Sequence, residues 1–348
     1  MPLWTLEDDF EFVNEAVGEH WQALADTRIF ITGGTGFIGR WMLETLWRAN
    51  RTRGLKAKAV ILSRDPARFF KTAPHLASDP AFSFVSGDIQ DFAHPDGAFT
   101  HLIHAATDAS ADLNEHNPLK MFDTVVGGTR HALDFAVARK IKNVLFMSSG
   151  AVYGRQPFEV SHVAEDWPGA PDCTAPVNAY AEGKRAAEML CGIYGKQFGL
   201  EITTARIFAL LGPMLSLDTH FAAGNFINDA IAGRRVTVKS NGLPVRSYLY
   251  IADLTWMLWQ LLVRGSAGST YNLGSDEGIS IRDLAERIAI LIGRDGFEVL
   301  GQADIGWNPG RYVPDTQRAK HELGLAKTVS LDDAIQRTAI WNGWTPWH

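Results

Sequence analysis

Residues 28–39 read RIFITGGTGFIG, a strand, a glycine turn and the start of a helix in twelve letters. Ile29, Phe30 and Ile31 form the short apolar run of a strand buried on both faces of a parallel sheet. Thr32 closes that run, and Gly33, Gly36 and Gly39 follow at three-residue spacing. A pyrophosphate can rest against a helix N-terminus only where no side chain at the turn stands in its way, and glycine meets that need. Phe37, Ile38, Trp41, Met42 and Leu46 then supply the apolar stripe of an amphipathic helix. A second strand-like run at Ala57–Leu62 completes a strand-helix-strand unit. In that context the glycine triplet marks a dinucleotide site rather than an ordinary chain reversal.

At 348 residues the chain can bury one large core or two lobes sharing a cleft. Its 46% hydrophobic and 21% charged content is that of a globular enzyme, and a net charge of -6 gives no footprint for nucleic acid. A phosphorylated small ligand remains compatible, because a local arginine cluster can bind it against a negative global charge. The two cysteines, Cys173 and Cys191, have neither CxxC nor paired His spacing. No disulfide framework and no metal site are expected, and a reducing compartment fits. Glu7, Asp8, Asp9, Glu11 and Glu15 are unlike a signal peptide, and no run approaches the roughly 18 apolar residues of a membrane span. The cytoplasm is the expected location, with no membrane partner.

Strand-like runs at Phe82–Val85, His101–His104, Asn143–Ser149 and Ile202–Ile207 alternate with helical patterns around Val126–Arg139 and Ala179–Phe198. That alternation predicts an α/β fold with a doubly wound parallel sheet. Residues 1–27 read as an acidic helical extension on the outside, and residues 28–210 as the dinucleotide-binding domain, rejoined at about residues 245–275. Residues 211–244 and 276–348 read as a smaller α/β lobe that closes over the mouth of the sheet and takes the substrate. Within and beside it, short strands are expected at Val236–Val238, Ser247–Ile251 and Ser269–Leu273. Helices are expected near Phe226–Ala232, Leu254–Val263 and Ile281–Leu291.

Ligands of open parallel sheets bind beyond the carboxyl ends of the strands. The Asn143–Met147 run ends there in Ser148 and Ser149, followed by Gly150-Ala151-Val152-Tyr153-Gly154. Tyr180 and Lys184 lie four apart on a predicted helix and share a face. An ordinary tyrosine ionises near pKa ~10, and a neighbouring cation favours its phenolate. Tyr180 can then take a hydroxyl proton as hydride leaves the carbon, while Ser149 hydrogen-bonds the same oxygen. Each residue alone has an ordinary structural use. Together, downstream of the glycine turn, they point to proton-coupled hydride transfer.

TGGTGFIG at 32–39, HAA at His104–Ala106, SSGAVYG at 148–154 and YAEGK at 180–184 resemble the extended short-chain dehydrogenase/reductase family, the sugar-nucleotide epimerases and dehydratases. RSYLYIADL at Arg246–Leu254, YNLGS at Tyr271–Ser275 and RYVPD at Arg311–Asp315 extend the resemblance over nearly the whole chain. It implies a Rossmann-type sheet whose glycine turn, Gly33, Thr35, Gly36, Phe37, Ile38 and Gly39, carries the cofactor. Asp88 and Ile89 would approach the adenine, and Ala105 and Ala106 would pass beneath the ribose. Ser149, Tyr180 and Lys184 would be catalytic, with Tyr180 and Lys184 also touching the cofactor and Lys184 holding the nicotinamide ribose. Asn225, Arg246 and Arg311, together with Ser149, would bind a nucleotide-diphosphate sugar. The family also implies a homodimer in which the Val126–Arg139 and Ala179–Phe198 helices pair into a four-helix bundle.

Three positions depart from the family pattern. Ser63, followed by Arg64, stands where NAD-using members place the acid that binds the adenosine ribose. Serine and a guanidinium suit a 2′-phosphate, so NADP is expected over NAD, although Arg64 can also stack on the adenine of either. Gly150 and Ala151 stand where the family's dehydratases carry an acid pair, and neither moves a proton. Elimination would then need an acid from elsewhere, such as Asp108 or Glu165. Val125 stands where many relatives have asparagine. The expected function is a nucleotide-sugar epimerase acting through a transient keto-sugar at C4. The alternatives, in order, are an NADPH-dependent 4-ketoreductase, a dehydratase, and a non-catalytic NADP(H)-sensing protein.

Overall fold

The computed structural model describes residues 4–107, 111–217, 222–302 and 310–346. Seven parallel strands form the central sheet, in the spatial order Phe82–Ser86, Lys58–Ser63, Arg28–Thr32, His101–His104, Asn143–Ser149, Glu201–Ile207 and Thr270–Leu273. Order reverses between Arg28–Thr32 and His101–His104, whose following segments leave on opposite sides of the sheet and open a crevice at the carboxyl edge.

The Arg28–Thr32, Lys58–Ser63 and Asn143–Ser149 strands carry apolar runs because both faces of the sheet are covered. Ile29, Ile31, Leu145 and Met147 enter one core, and Phe30, Val144 and Phe146 enter the other. The first core is roofed by the Phe37–Arg53 and Ile251–Arg264 helices. The second is roofed by the Pro118–Ala138 and Ala179–Phe198 helices. The N-terminal Leu6–Val17 helix and the 3-10 turn at Gly18–Leu24 also join the first core. Phe10, Val13, Trp21 and Leu24 are buried there, with Trp21 against Trp259 at 5.0 Å between ring centroids.

The Val126–Arg139 pattern begins earlier than expected, at Pro118, because Asn117 accepts the Lys120 amide at 3.1 Å and proline suits the first turn. The Ser247–Ile251 run splits into strands Val245–Arg246 and Leu249–Tyr250, and Ile251 already starts the next helix. Beyond the sheet, the Val245–Arg246 strand lies between Ile279–Ser280 and Arg311–Tyr312, while Val236–Val238 pairs with Phe297–Val299. Helices Ala222–Ile231, Ile281–Ile292 and Leu331–Trp341 pack around these short strands. Asp108 lies outside the described residues.

Candidate active site

At the glycine turn, Gly33 has φ +73, and a Cβ there would fall 2.6 Å from the Ala105 carbonyl carbon. A Cβ on Gly39 would meet the Gly33 carbonyl oxygen at 2.2 Å. Glycine is therefore required for the turn to close on itself and on the Ala105–Ala106 segment, quite apart from any ligand. Gly36 caps the Phe37–Arg53 helix without a side-chain acceptor, which leaves first-turn amides facing the crevice. Such a cradle fits a pyrophosphate. Ala105 and Ala106 are held beside it by Thr32, whose carbonyl accepts the Ala105 amide (3.2 Å) and whose hydroxyl accepts the Ala106 amide (3.1 Å).

Ser63 is buried at the end of its strand with Oγ 3.4 Å from Thr35 Oγ1, so the second strand does reach the glycine turn. Arg64 is exposed beside it, and Asp65 is engaged in capping the next helix through the Arg68 amide (3.0 Å). On the far side of the turn, Asp88 accepts the Gln90 amide at 3.0 Å. Ile89 is buried against Gly128, where a Cβ would meet it at 2.8 Å.

Ser149, Tyr180 and Lys184 come together at the crevice. Tyr180 is half-buried in the first turn of its helix, with the Ser149 side chain next to its phenol. Burial raises the phenol's pKa, and the Ser149 side chain opposes that rise by favouring the phenolate. Lys184 is buried and donates to Thr107 Oγ1 and to the Met147 carbonyl, both at 2.7 Å. Burial pulls its pKa down to about 8, against the Glu188 charge. The helix start is fixed by Asn114, whose Oδ1 accepts the Tyr180 amide at 3.0 Å and whose amide donates to the Val177 carbonyl at 2.7 Å.

His104 stands behind Lys184 with Nδ1 2.8 Å from Thr32 Oγ1 and Nε2 3.0 Å from Thr129 Oγ1. Burial first, then the Lys184 charge, pushes its pKa down to about 3, so it is a neutral brace between strand and helix. Val125, the residue in the asparagine position, packs against Gly183, where a Cβ would approach to 3.2 Å. Helix contact, rather than a polar relay, is what this position provides.

The Arg311–Tyr312 strand brings a second phenol. Tyr312 also lies next to Ser149, and its pKa is raised by burial and by the proximity of Tyr180. Its strand is docked by Val313, whose amide donates to Gln156 Oε1 at 2.9 Å, and by pairing with Val245–Arg246. Arg246 sits opposite Tyr312 in that register. Burial lowers its pKa, and Tyr248 and Tyr312 are its electrostatic neighbours. Among the described residues no carboxylate lies within 4.0 Å of its guanidinium, which instead donates to the carbonyls of Val245 (2.9 Å) and Gly310 (3.2 Å). Arg311 turns elsewhere: its Nε donates to the Phe158 carbonyl at 3.0 Å, and its guanidinium lies 4.5 Å from the Phe158 ring centroid. Asn225 is exposed on the first turn of the Ala222–Ile231 helix.

A Cβ at Gly150 would fall 2.6 Å from the Phe208 ring, which packs on Tyr312 at 4.6 Å between centroids. A side chain at position 150 would have to displace that ring. Glu165 is committed as well: its Oε1 accepts the Asn272 amide at 2.8 Å and its Oε2 lies 3.9 Å from Arg318 Nε.

Residues 29–274 match the family model described as the NAD dependent epimerase/dehydratase family. The chain belongs to that family. UDP-glucuronic acid decarboxylase 6 of Arabidopsis thaliana is 31% identical over 314 residues, covering 89% of this chain and 87% of the relative. The structure of the dTDP-glucose 4,6-dehydratase of Streptomyces venezuelae with NAD and TYD bound superposes with a TM-score of 0.78 at 24% identity, covering 90% and 96% of the two chains. UDP-glucose 4-epimerase of Thermotoga maritima, solved with UDP-glucose, gives a TM-score of 0.76 at 20% identity over 90% and 98%. This member of the family is accordingly a sugar-nucleotide enzyme of extended short-chain dehydrogenase/reductase type with a Rossmann-like parallel sheet.

Asn114, His104, Tyr312 and Glu188 add to the residues singled out from sequence. Glu188 continues the Tyr180, Lys184 spacing by one more turn and was legible in principle. Tyr312 was not, because its approach to Ser149 depends on a strand pairing distant in the chain.

Proposed function

We propose that this protein is a nucleotide-sugar epimerase working through a transient keto-sugar, with hydride leaving and returning at C4. A bound nicotinamide dinucleotide supplies the hydride acceptor and, once reduced, the donor. Tyr180 takes the proton of the C4 hydroxyl, and Ser149 hydrogen-bonds the same oxygen as it becomes a carbonyl. Lys184 holds the nicotinamide ribose and favours the phenolate, while Arg246 takes the substrate diphosphate. After the keto-sugar turns over, Tyr180 returns its proton to the oxygen.

The observation that carries this reading is Gly150 beneath Phe208 beside an otherwise complete Ser149, Tyr180 and Lys184 set. Epimerisation balances with one proton carrier and a returning hydride. Elimination needs a further acid and base, and the described candidate, Glu165, is engaged elsewhere. Decarboxylation is the second reading, favoured by the relatives at about 30% identity. Incubation with UDP-glucose, UDP-galactose, UDP-glucuronate and dTDP-glucose, followed by NMR and nicotinamide absorbance, separates them. An epimerase gives an isomer without net change in absorbance. Release of carbon dioxide from UDP-glucuronate, or stoichiometric loss of NADPH, contradicts the first reading.

The cofactor is proposed to be NADP, with Ser63 and Arg64 receiving the 2′-phosphate. Tighter binding of NAD than of NADP overturns that choice. The cytoplasm remains the proposed location; among the described residues no helix is long and apolar enough to cross a membrane. A homodimer through the Pro118–Ala138 and Ala179–Phe198 helices is supported by Met189 and Ile193, four apart and 66% and 39% exposed. Ultracentrifugation of the wild type and of Met189→Lys/Ile193→Lys tests it: dimer for the first, monomer for the second.

A further inference from the structure

The Tyr180-bearing helix meets the Ser149-bearing strand at two successive strand residues. Lys184 Nζ donates to the Met147 carbonyl at 2.7 Å, and one turn further along Glu188 Oε1 accepts the Ser148 hydroxyl at 2.5 Å. Residues four apart on a helix share a face, so these two contacts act as one grip. Arg206 closes it from the neighbouring strand, where it is the register partner of Ser148. Its Nη2 reaches Glu188 Oε2 at 2.7 Å and its Nε reaches Oε1 at 3.0 Å, a two-pronged pair. Arg206 Nη1 donates to the Tyr153 hydroxyl (2.8 Å) and the Glu165 carbonyl (2.9 Å), and Tyr153 donates to Asn272 Oδ1 (2.7 Å). The network thus runs from the catalytic helix, under Ser149, to the last strand of the sheet.

We propose that Glu188 is a positioning residue: through Ser148 and Arg206 it clamps the catalytic helix to the catalytic strand, and its carboxylate sets the charge state of Lys184 one turn away. The proposal rests on the reading of Lys184 as the residue that holds the cofactor ribose. Among the described residues, the groups around Lys184 are few. Glu188 and Cys191 act from its own helix, His104 from one strand, the Phe146 ring and the Met147 carbonyl from the next, and the Thr107 hydroxyl from the crevice loop. His104 is neutral, and burial holds the Cys191 thiol protonated. Glu188 is left as the formal negative charge that offsets the burial of the ammonium.

The 348-residue chain is titrated with NADPH and NADH by nicotinamide fluorescence from about pH 6 to about pH 10, for wild type, Lys184→Met, Glu188→Gln and Glu188→Gln/Arg206→Met. The double variant removes both partners of the buried pair, so no orphaned charge threatens folding. Affinity in the wild type falls at high pH as Lys184 loses its proton, and Lys184→Met abolishes that midpoint. Glu188→Gln moves it down by about one unit, and the double variant, which also removes the Arg206 charge, moves it down by less, while binding below the midpoint stays within about threefold of wild type in both. An unmoved midpoint, with only a lower Tm, makes Glu188 a structural residue and overturns the proposal alone. A wild type that binds neither nucleotide overturns the reading of the site and the proposal with it.

Discussion

In the proposed mechanism Tyr180 is the residue on which the chemistry turns, and its helical spacing from Lys184 was enough to single it out. The position of Ser149 followed from the rule that strand ends carry sites. Tyr180→Phe keeps the ring in its packing and removes the proton carrier. Turnover should fall by about 10²- to 10⁴-fold while the cofactor dissociation constant stays within about threefold, as steady-state kinetics and fluorescence titration will show. A variant with full rate removes the assignment. Gly150 makes a structural prediction at the same scale. In Gly150→Ala the methyl must displace the Phe208 ring, found 2.6 Å from the ideal Cβ, which should cost about 1–3 kcal/mol in chemical denaturation. Unchanged stability would mean that Phe208 moves freely and that position 150 can accept a side chain. The sequence could show that Gly150 moves no proton. It could not show why glycine stands there, since Phe208 arrives from a different strand.

Among the elements, the strands of the main sheet were the most legible, because burial on both faces leaves continuous apolar runs such as Asn143–Ser149. The short strands Arg311–Tyr312 and Ile279–Ser280 were not, since two residues carry no period. They exist through pairing with Val245–Arg246. The N-terminal helix illustrates a second limit. Its acidic residues suggested an outer face, but Asp9 is buried, with its carboxylate accepting hydrogen bonds from Tyr250 and from Arg337 Nη1 at 2.7 Å. Those partners are contributed by the Leu249–Tyr250 strand and the last helix, far along the chain. Burial raises the Asp9 pKa, and the two donors oppose the rise. Asp9→Ala strands both donors and should cost about 2 kcal/mol; a loss under about 0.5 kcal/mol in urea denaturation would show that the latch is dispensable.

For the whole molecule, the burial of several phenols makes stability depend on alkaline pH. A tyrosine in the unfolded chain ionises near 10, whereas burial raises Tyr153 and Tyr248 to about 12 and also raises Tyr180, Tyr250 and Tyr312. Above pH ~10 the native state binds more protons than the unfolded one, so stability falls by about 1.4 kcal/mol per pH unit for each such group. Lys184 runs the other way. Its folded pKa of about 8 lies below that of a free lysine, so it adds stability as pH rises between the two values. Thermal melts should show a steep loss of Tm above pH ~10, and a smaller rise from pH ~8 in wild type that Lys184→Met lacks. A flat Tm above pH ~10 would mean that the phenols are not buried as described.

Hydride that leaves C4 and returns to its opposite face, with nothing lost from the sugar and no nicotinamide consumed, is the feature that separates this account from reduction, elimination and decarboxylation. The direct test uses UDP-glucose carrying deuterium at C4, with the product analysed by NMR and mass spectrometry. The account predicts a C4-inverted isomer that keeps its deuterium, with no nicotinamide consumed. Deuterium recovered on released nicotinamide or lost to solvent, or a product without inversion at C4, would contradict it.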